Sequence, residues 1–475
     1  MPLDASSVRS VVDRAWDGHV VDTLQEFIRI PNVSPAYEPR WVDLGHMAKA
    51  TDLLRRWCEE RVAEGLPGAT VEVFELPGLT PLLLIDVPAT PDAADAGTVL
   101  LYGHLDKQPP FDGWRDGLGP WEPVIDGDRL YGRGSADDGY AVFSALTAIA
   151  AVRADGGSHA RCLVLIEASE ESGSPDLPAY LEGLGDRLGD PSLVVALDSG
   201  CDDWDHFWLT TSLRGLVDLS LRVDILTEGI HSGSAGGVVP SSFRILRQLL
   251  DRVEDSATGR VLAPELHVKV PDVRREQIRA MAADVDIRNA EYPFVDGAGR
   301  PDATNEELIT ARTWEPSLAI TGIDGAPPVG SAGNVLRPWT AVRISVRIPP
   351  TTDPQAAADA LVRELTADPP YGAKVTVTQL AEPGWHATPE APWLAAALDT
   401  AAEATFGEPP RSRGEGGSIP FMGMLGRRFP EAQFVITGVA GPGTNAHGPN
   451  EYLHLPTARR VTAAVAHILD AHAHR

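Results

Sequence analysis

Four short apolar runs in this chain each lead into side chains able to bind metal ions. Thr98–Gly103 is followed by His104, Leu163–Ala168 by Glu170 and Glu171, and Leu193–Leu197 by Asp198, while Phe434–Thr437 precedes His447. Apolar runs of this length, bounded by turn residues, read as strands buried on both faces, and ligands in open α/β sheets collect at the carboxyl ends of such strands. The pattern points to an α/β sheet with metal chemistry along one edge.

A length of 475 residues exceeds what one core usually supports and predicts two or three structural units. A formal charge of −27 argues against nucleic acid or an anionic membrane as partner, since both call for clustered Lys and Arg, and fits a well-solvated acidic surface. Cys58, Cys162 and Cys201 are too few and too scattered for a disulfide framework, and none forms a Cys-x-x-Cys pair, which suits a reducing compartment. No basic segment followed by an apolar stretch opens the chain, and no run approaches the roughly 18–20 apolar residues that span a bilayer. The expectation is a cytoplasmic protein.

Up to about Thr211, buried-type strands alternate with helical patterns, as in Asp137–Ala154, where Tyr140, Phe143, Leu146 and Ala150 mark an apolar face. This predicts an α/β unit with a mainly parallel sheet and helices on both faces. From Gly215 the period changes: Leu219, Leu221, Val223 and Ile225 alternate with Ser220, Arg222 and Asp224, as in a strand wetted on one face. Val342, Ile344, Val346 and Ile348 repeat the alternation, as does the stretch around Val375 and Val377. Helical segments at 241–253 and 353–368 complete a β-α-β-β-α-β order, that of an α+β ferredoxin-like module. A helical stretch at 392–406 and the strand before His447 return to the first style. The expected organisation is a catalytic domain in two parts, 1–212 and 382–475, interrupted by an inserted domain, 213–381. Residues 254–314, rich in charge and Pro, match neither pattern and read as an insertion or a long loop excursion.

Taken singly, the polar motifs are ambiguous. His104-Leu105-Asp106 is a short pattern that recurs by chance, and the imidazole could simply hydrogen-bond at a strand end. In Gly132-Arg133-Gly134-Ser135-Ala136-Asp137-Asp138 either aspartate would equally serve as an N-cap, and Asp198 as a turn residue. Glu170 and Glu171 would repel unless a cation or a proton separates their roles, although a solvated strand end accounts for them too. Together they are harder to dismiss. Imidazole and carboxylate ligands without thiolate suit zinc, manganese or cobalt, and a shared carboxylate can bridge two such ions about 3.5–4 Å apart.

With Glu170-Glu171-Ser172-Gly173-Ser174 and Glu415-Gly416-Gly417-Ser418-Ile419-Pro420 added to the glycine-rich motif, the chain resembles the dinuclear metallopeptidases that include carnosinase, cytosolic non-specific dipeptidase, carboxypeptidase G and the aminoacylases. The likeness, nearest to the carnosinase and non-specific dipeptidase branch, runs from about residue 20 to the C-terminus. It implies two divalent ions, zinc or manganese with cobalt as an alternative: His104 and Asp198 on one, Glu171 and His447 on the other, and Asp137 bridging. Asp106 would orient the His104 ring, and Glu170 would be the general base and then the acid. His231 is implied as the oxyanion donor that reaches the partner subunit's site, hence a homodimer with the inserted domain as lid and dimerisation element. Asn334 matches a residue of the same region. One departure stands out: the family usually has Lys after the aspartate pair, and here Gly139 follows Asp138.

The resemblance further implies Arg347 on the substrate's terminal carboxylate and Glu415 on a free α-amine, with Gly416, Gly417 and Ser418 shaping the pocket. Arg343 on the same strand face shows that such an arginine is also an ordinary surface residue. His386 aligns too loosely to be included. The expected activity is hydrolysis of dipeptides or short peptides by a dimetal-activated water. The alternatives are an N-acyl-amino-acid deacylase or glutamate-type carboxypeptidase and, in another class, a catalytically silent metal-binding relative, which the retention of Glu170 and every ligand disfavours.

Overall fold

The computed structural model describes residues 3–289, 292, 294–417 and 419–475. The chain divides into two compact units, one comprising the residues up to Thr210, Ala387–Arg413 and Met424–Arg475, the other Thr211–His386 and Gly414–Gly423.

Among the described residues, the first unit centres on a six-stranded sheet in the order Thr70–Phe74, Leu82–Val87, Arg161–Glu167, Thr98–His104, Pro191–Ala196, Gln433–Ile436. The last four run parallel, and the first two form an antiparallel edge. Val99, Leu101, Val164, Ile166, Leu193 and Val195 join a core with the helices Ala5–Ala15, His46–Gly65, Ala141–Ala154 and Leu455–Ala473. Leu100, Tyr102, Leu163, Leu165 and Val194, on the opposite face, are buried as well. Burial on both faces explains why these strands read as unbroken apolar runs.

Two local expectations change. The helix expected from Asp137 starts at Ala141, and residues before it form a turn. Its residues from Ala141 to Ile149 are all buried while Ala150 is partly exposed, so the helix is enclosed on nearly every side rather than amphipathic. Residues 254–314 are no loop excursion. They hold a small hairpin, Glu254–Asp255 with Arg260–Val261, and two helices, Asp272–Asp284 and Asn305–Trp314. The second begins with a capping box, Thr304 and Glu307 each accepting from the other's backbone. Its acidic first turn and few buried residues hide the apolar period.

The second unit has the β-α-β-β-α-β order: Gly215–Asp224, Ser242–Leu250, Ser317–Asp324, Trp339–Ile348, Pro354–Thr366, Lys374–Glu382. Its antiparallel sheet is ordered Ser317–Asp324, Trp339–Ile348, Gly215–Asp224, Lys374–Glu382, a ferredoxin-like arrangement. Val217, Leu219, Leu221 and Val223 are buried with both helices, whereas their neighbours Asp218, Ser220 and Arg222 are not.

Gly103 sets how closely strand and helix approach in the first unit. A Cβ there would stand 2.4 Å from Ala141 Cβ and 2.7 Å from Asp138 Oδ2. Gly103→Ala should therefore destabilise the protein by about 1–3 kcal/mol through overpacking, read as a lower urea midpoint; an unchanged midpoint would contradict this contact.

Candidate metal centre

Parallel strands end at a common edge, and there the first unit gathers its ionisable groups. His104 closes its strand, Asp198 follows Pro191–Ala196 by two residues, and Glu171 sits in the helical turn Glu170–Ser172. Asp137 comes from the glycine-rich loop and His447 from the loop after Gln433–Ile436. Asp137 stands between the two imidazoles, with Oδ1 3.2 Å from His104 Nε2 and Oδ2 2.9 Å from His447 Nε2. Asp198 Oδ2 lies 3.8 Å from His104 Nε2, and Glu171 Oε2 3.3 Å from His447 Nε2. The result is two groups sharing Asp137: His104, Asp137 and Asp198, and Asp137, Glu171 and His447, with the ligand atoms of each group within 4.8 Å of one another.

Electrostatics test whether these residues fit a cation. Burial pushes Glu171 well above the usual carboxylate range, with Asp137 adding to the rise. Burial likewise lifts Asp198 to about 6 against the pull of His104. Burial disfavours a charged imidazole at His104, yet Asp198, Asp106 and Asp137 hold its pKa well above the ordinary histidine value. Burial works against the charge of Asp137, yet His104 and His447 hold its pKa below the usual carboxylate range. The flanking carboxylates and His104 have a raised affinity for protons, the response of a cluster short of positive charge. Glu171 Oε1 is buried with no hydrogen-bond partner among the described residues, as expected of an atom reserved for a cation. The residues fit two divalent ions, on imidazole nitrogen and carboxylate oxygen alone. The His104 side is sealed, whereas the His447 side chain is 56% exposed, so the centre opens on that side.

Asp106 does more than face the His104 ring. His104 Nδ1 lies 3.1 Å from the Asp106 backbone carbonyl and 3.5 Å from its carboxylate. That carboxylate accepts from the backbone N–H of Glu170 and of Glu171, both at 3.1 Å, and so orients the turn carrying both glutamates. The Glu170 carboxyl is pushed well above its usual range by burial, then by Asp198.

Sequence reasoning missed the residues that hold the ligands in place. Glu451, fully buried, accepts from Arg133 Nη1 at 2.6 Å and from the backbone N–H of Gly134, Ala136 and Asp137 at 3.0–3.2 Å. Arg133 Nη2 donates to Gly448 O at 2.6 Å, beside His447. This pair ties the Asp137 loop to the His447 loop. It also supports a left-handed backbone at His447, φ 62°, a conformation that costs a non-glycine residue of order 1 kcal/mol. Gln108 Nε2 donates to Glu171 Oε2 at 2.6 Å, and Asp138 Oδ2 accepts from the His104 N–H at 3.2 Å. The only advance signal was Arg133 within the glycine motif.

The other expected site residues lie in the second unit. His231 and Asn334 come together: Ile230–His231 pairs with Val335–Leu336, and Ser232 N donates to Asn334 O at 2.9 Å. His231 Nδ1 accepts from Gly233 N at 3.1 Å. Arg347 is half-buried and lies in register with Leu216 on one neighbouring strand, as Glu382 does on the other. Burial lowers its pKa while Glu382 opposes the shift. Arg343 on the same strand pairs with Asp218 at 2.9 Å. Glu415 Oε1 accepts from Gly416 N at 2.9 Å, and Gly417 follows; Ser418 lies outside the described residues. His386 accepts from Arg274 at 3.3 Å, and burial beside that arginine lowers it to about 4. Among the described residues no helix is long and apolar enough to cross a membrane.

A parallel sheet edged by two carboxylate–imidazole groups, interrupted by a ferredoxin-like insertion, defines a metallohydrolase architecture. Residues 100–471 match peptidase family M20/M25/M40. The chain is 30% identical over 383 residues, 79% of its length and 81% of the relative's, to a cysteinylglycine-S-conjugate dipeptidase of Corynebacterium striatum. Among solved structures it superposes on human carnosine dipeptidase 1 with a TM-score of 0.76 at 24% identity, covering 100% of both chains. It superposes on the metallo-carboxypeptidase Sso-CP2 of Sulfolobus solfataricus with 0.79 at 20%, covering 96% of this chain and 100% of that one. The chain belongs to the M20 peptidase family and is an enzyme of that class.

Removing the charge of Glu451 leaves Arg133 buried without its partner. Glu451→Gln should lower divalent-metal affinity by about 10- to 100-fold, the range for loss of a residue that orients a ligand. Titration of chelator-stripped protein with zinc or manganese measures this; wild-type affinity in the variant would mean that Glu451 does not organise the centre.

Proposed function

We propose that this enzyme is a dinuclear metallo-dipeptidase that cleaves the peptide bond of dipeptides or short peptides bearing a free amine and a free carboxylate. The observation that carries the reading is the pair of ligand groups sharing Asp137, with Glu170 set beside them by Asp106. The names of the Corynebacterium and human relatives, both dipeptidases, support the substrate class.

His104 and Asp198 would hold one divalent ion, Glu171 and His447 the other, and Asp137 both. Ions such as zinc or manganese held there would supply a water acidified toward ~7 and Lewis-acid polarisation of the scissile carbonyl. Glu170, whose proton affinity is raised by burial, accepts the proton of the attacking water in its ionised form and delivers it to the leaving amine. Asp106 keeps that carboxyl in place through the backbone of Glu170. His231, with Asn334 beside it, donates to the developing oxyanion. Arg347 binds the substrate carboxylate, and Glu415 its α-amine. Gly416, Gly417 and Ser418 leave room for close backbone approach. A negative group for one end and a positive group for the other select zwitterionic substrates, which favours a dipeptidase over a deacylase or a glutamate-type carboxypeptidase. The second unit acts as lid and dimerisation element in a homodimer. Three buried, unpaired cysteines support a cytoplasmic setting.

Chelator-stripped protein should be inert, and restored zinc, manganese or cobalt should revive cleavage of a free dipeptide but not of its N-acetylated counterpart. Preference for the acetylated compound would move the assignment to a deacylase, and no turnover with any metal would revive the silent relative. Glu170→Gln should retain metal while kcat falls by about 10²- to 10⁴-fold, the usual worth of a proton shuttle; full activity in that variant would sink the mechanism.

A further inference from the structure

The loop carrying Glu415 is built against the C-terminal end of the helix Asn305–Trp314, and one buried side chain joins them. Arg214 is only 8% exposed. Its Nε donates to Gly416 O at 3.0 Å, while Nη1 donates to Glu315 O at 3.2 Å, Ser317 Oγ at 3.1 Å and, more weakly, Ala311 O at 3.5 Å. Its own backbone N–H donates to Glu415 O at 3.3 Å. Among the described residues no carboxylate pairs with this guanidinium; its hydrogen bonds go to carbonyls and one hydroxyl. Carbonyls left over at a helix C-terminus carry partial negative charge, which favours a cation there.

The contact surface is too tight for side chains on the loop. A Cβ at Gly414 would stand 2.9 Å from both Thr313 Cβ and Ser212 Oγ, and one at Gly416 would meet Arg312 O at 3.1 Å and Arg214 Nη2 at 3.2 Å. The helix itself is anchored. Asn305 Nδ2 donates to Ala282 O and Val285 O at 2.9 and 2.8 Å, and Ile309, Thr313 and Trp314 are buried. Burial lowers Arg214 to about 10, with Arg347 adding to the fall and Glu415 opposing it, so the side chain remains cationic at neutral pH.

We infer that Arg214 is a positioning residue for recognition of the substrate amine: it braces the Glu415–Gly417 loop against the helix Asn305–Trp314 and thereby aims the Glu415 carboxylate. A guanidinium has fixed donor directions, so the Gly416 carbonyl and the helix-end carbonyls are held in one relative geometry that an ammonium cannot reproduce. Glu415 is further restrained by the Gly416 N–H at 2.9 Å. The inserted segment 254–314 acquires a role as the rear wall of a specificity loop. The inference rests on the proposed reading of Glu415 as the amine-binding residue.

The test compares metal-loaded wild type, Arg214→Met, Arg214→Lys and Gly414→Ala on a free dipeptide and on its N-acetyl counterpart. For Arg214→Met, KM for the free dipeptide should rise about tenfold or more with kcat within about twofold, and discrimination against the acetylated compound should fall by the same factor. Arg214→Lys should share the defect. Gly414→Ala, which keeps Arg214 but sets a Cβ 2.9 Å from Thr313 Cβ and so displaces the loop from the helix, should reproduce it and covers the case in which Arg214→Met fails to fold. An active wild type with unchanged KM in the folded variants, a loss confined to kcat, or full rescue by lysine overturns the bracing role alone. A wild type that prefers the acetylated compound overturns the reading of Glu415 and this inference with it.

Discussion

Concentrated negative charge at the end of a buried sheet is the constraint that the rest of the first unit answers. Asp137, Glu171 and Asp198 converge with Glu170, Asp106 and Asp138 close by, and enclosure by protein makes each charge costly. Two imidazoles do not balance them. The arrangement is stable only if protons or cations supply the difference, since the nearby Arg133 is engaged with Glu451 and Lys107 with Phe27 O and Ile30 O. The need for a cation is therefore built into the placement of the strands.

Around that deficit the surrounding polar groups act as a frame. Asp106 collects the backbone of the Glu170–Glu171 turn, Gln108 pins one oxygen of Glu171, and Glu451 with Arg133 fastens together two loops that are over 300 residues apart in sequence. Each of these contacts restrains a ligand that has few alternative positions. Such preorganisation keeps the cost of ordering out of the binding step. Lys107 adds a further tie, fully buried with its ammonium on Phe27 O and Ile30 O at 2.7 and 2.8 Å. It lies against Gly134, where a Cβ would be 2.6 Å from its Cε. At Gly139 a Cβ would stand 2.3 Å from Gly134 O, so a lysine at that position would not fit this loop as it is folded here.

Much of the fold was legible because burial leaves a periodic trace. Unbroken apolar runs gave away strands covered on both faces, and strict alternation from Leu219 to Val223 gave away a sheet with one wet face. The helix Asn305–Trp314 left no such trace, since its first turn is acidic and its buried residues are few. Ligands were readable where they close a strand or a glycine turn, as at His104 and Asp137. Glu451 was not, because its partners are backbone amides and an arginine in a distant loop, and neither leaves a spacing to recognise.

The path of the chain sets the order in which the centre can assemble. Sequence passes from the first unit to the second at Thr211, returns at Ala387, leaves again at Gly414 and returns at Met424. The outermost parallel strand, Gln433–Ile436, and the loop bearing His447 and Glu451 therefore leave the ribosome after every other strand of this sheet and after the other ligands. A nascent chain holds His104, Asp137, Glu171 and Asp198 long before His447 arrives to separate their charges. Synthesis thus passes through an interval with an unpaired sheet edge and an acidic cluster still short of its second imidazole, a state in which mispairing competes with folding.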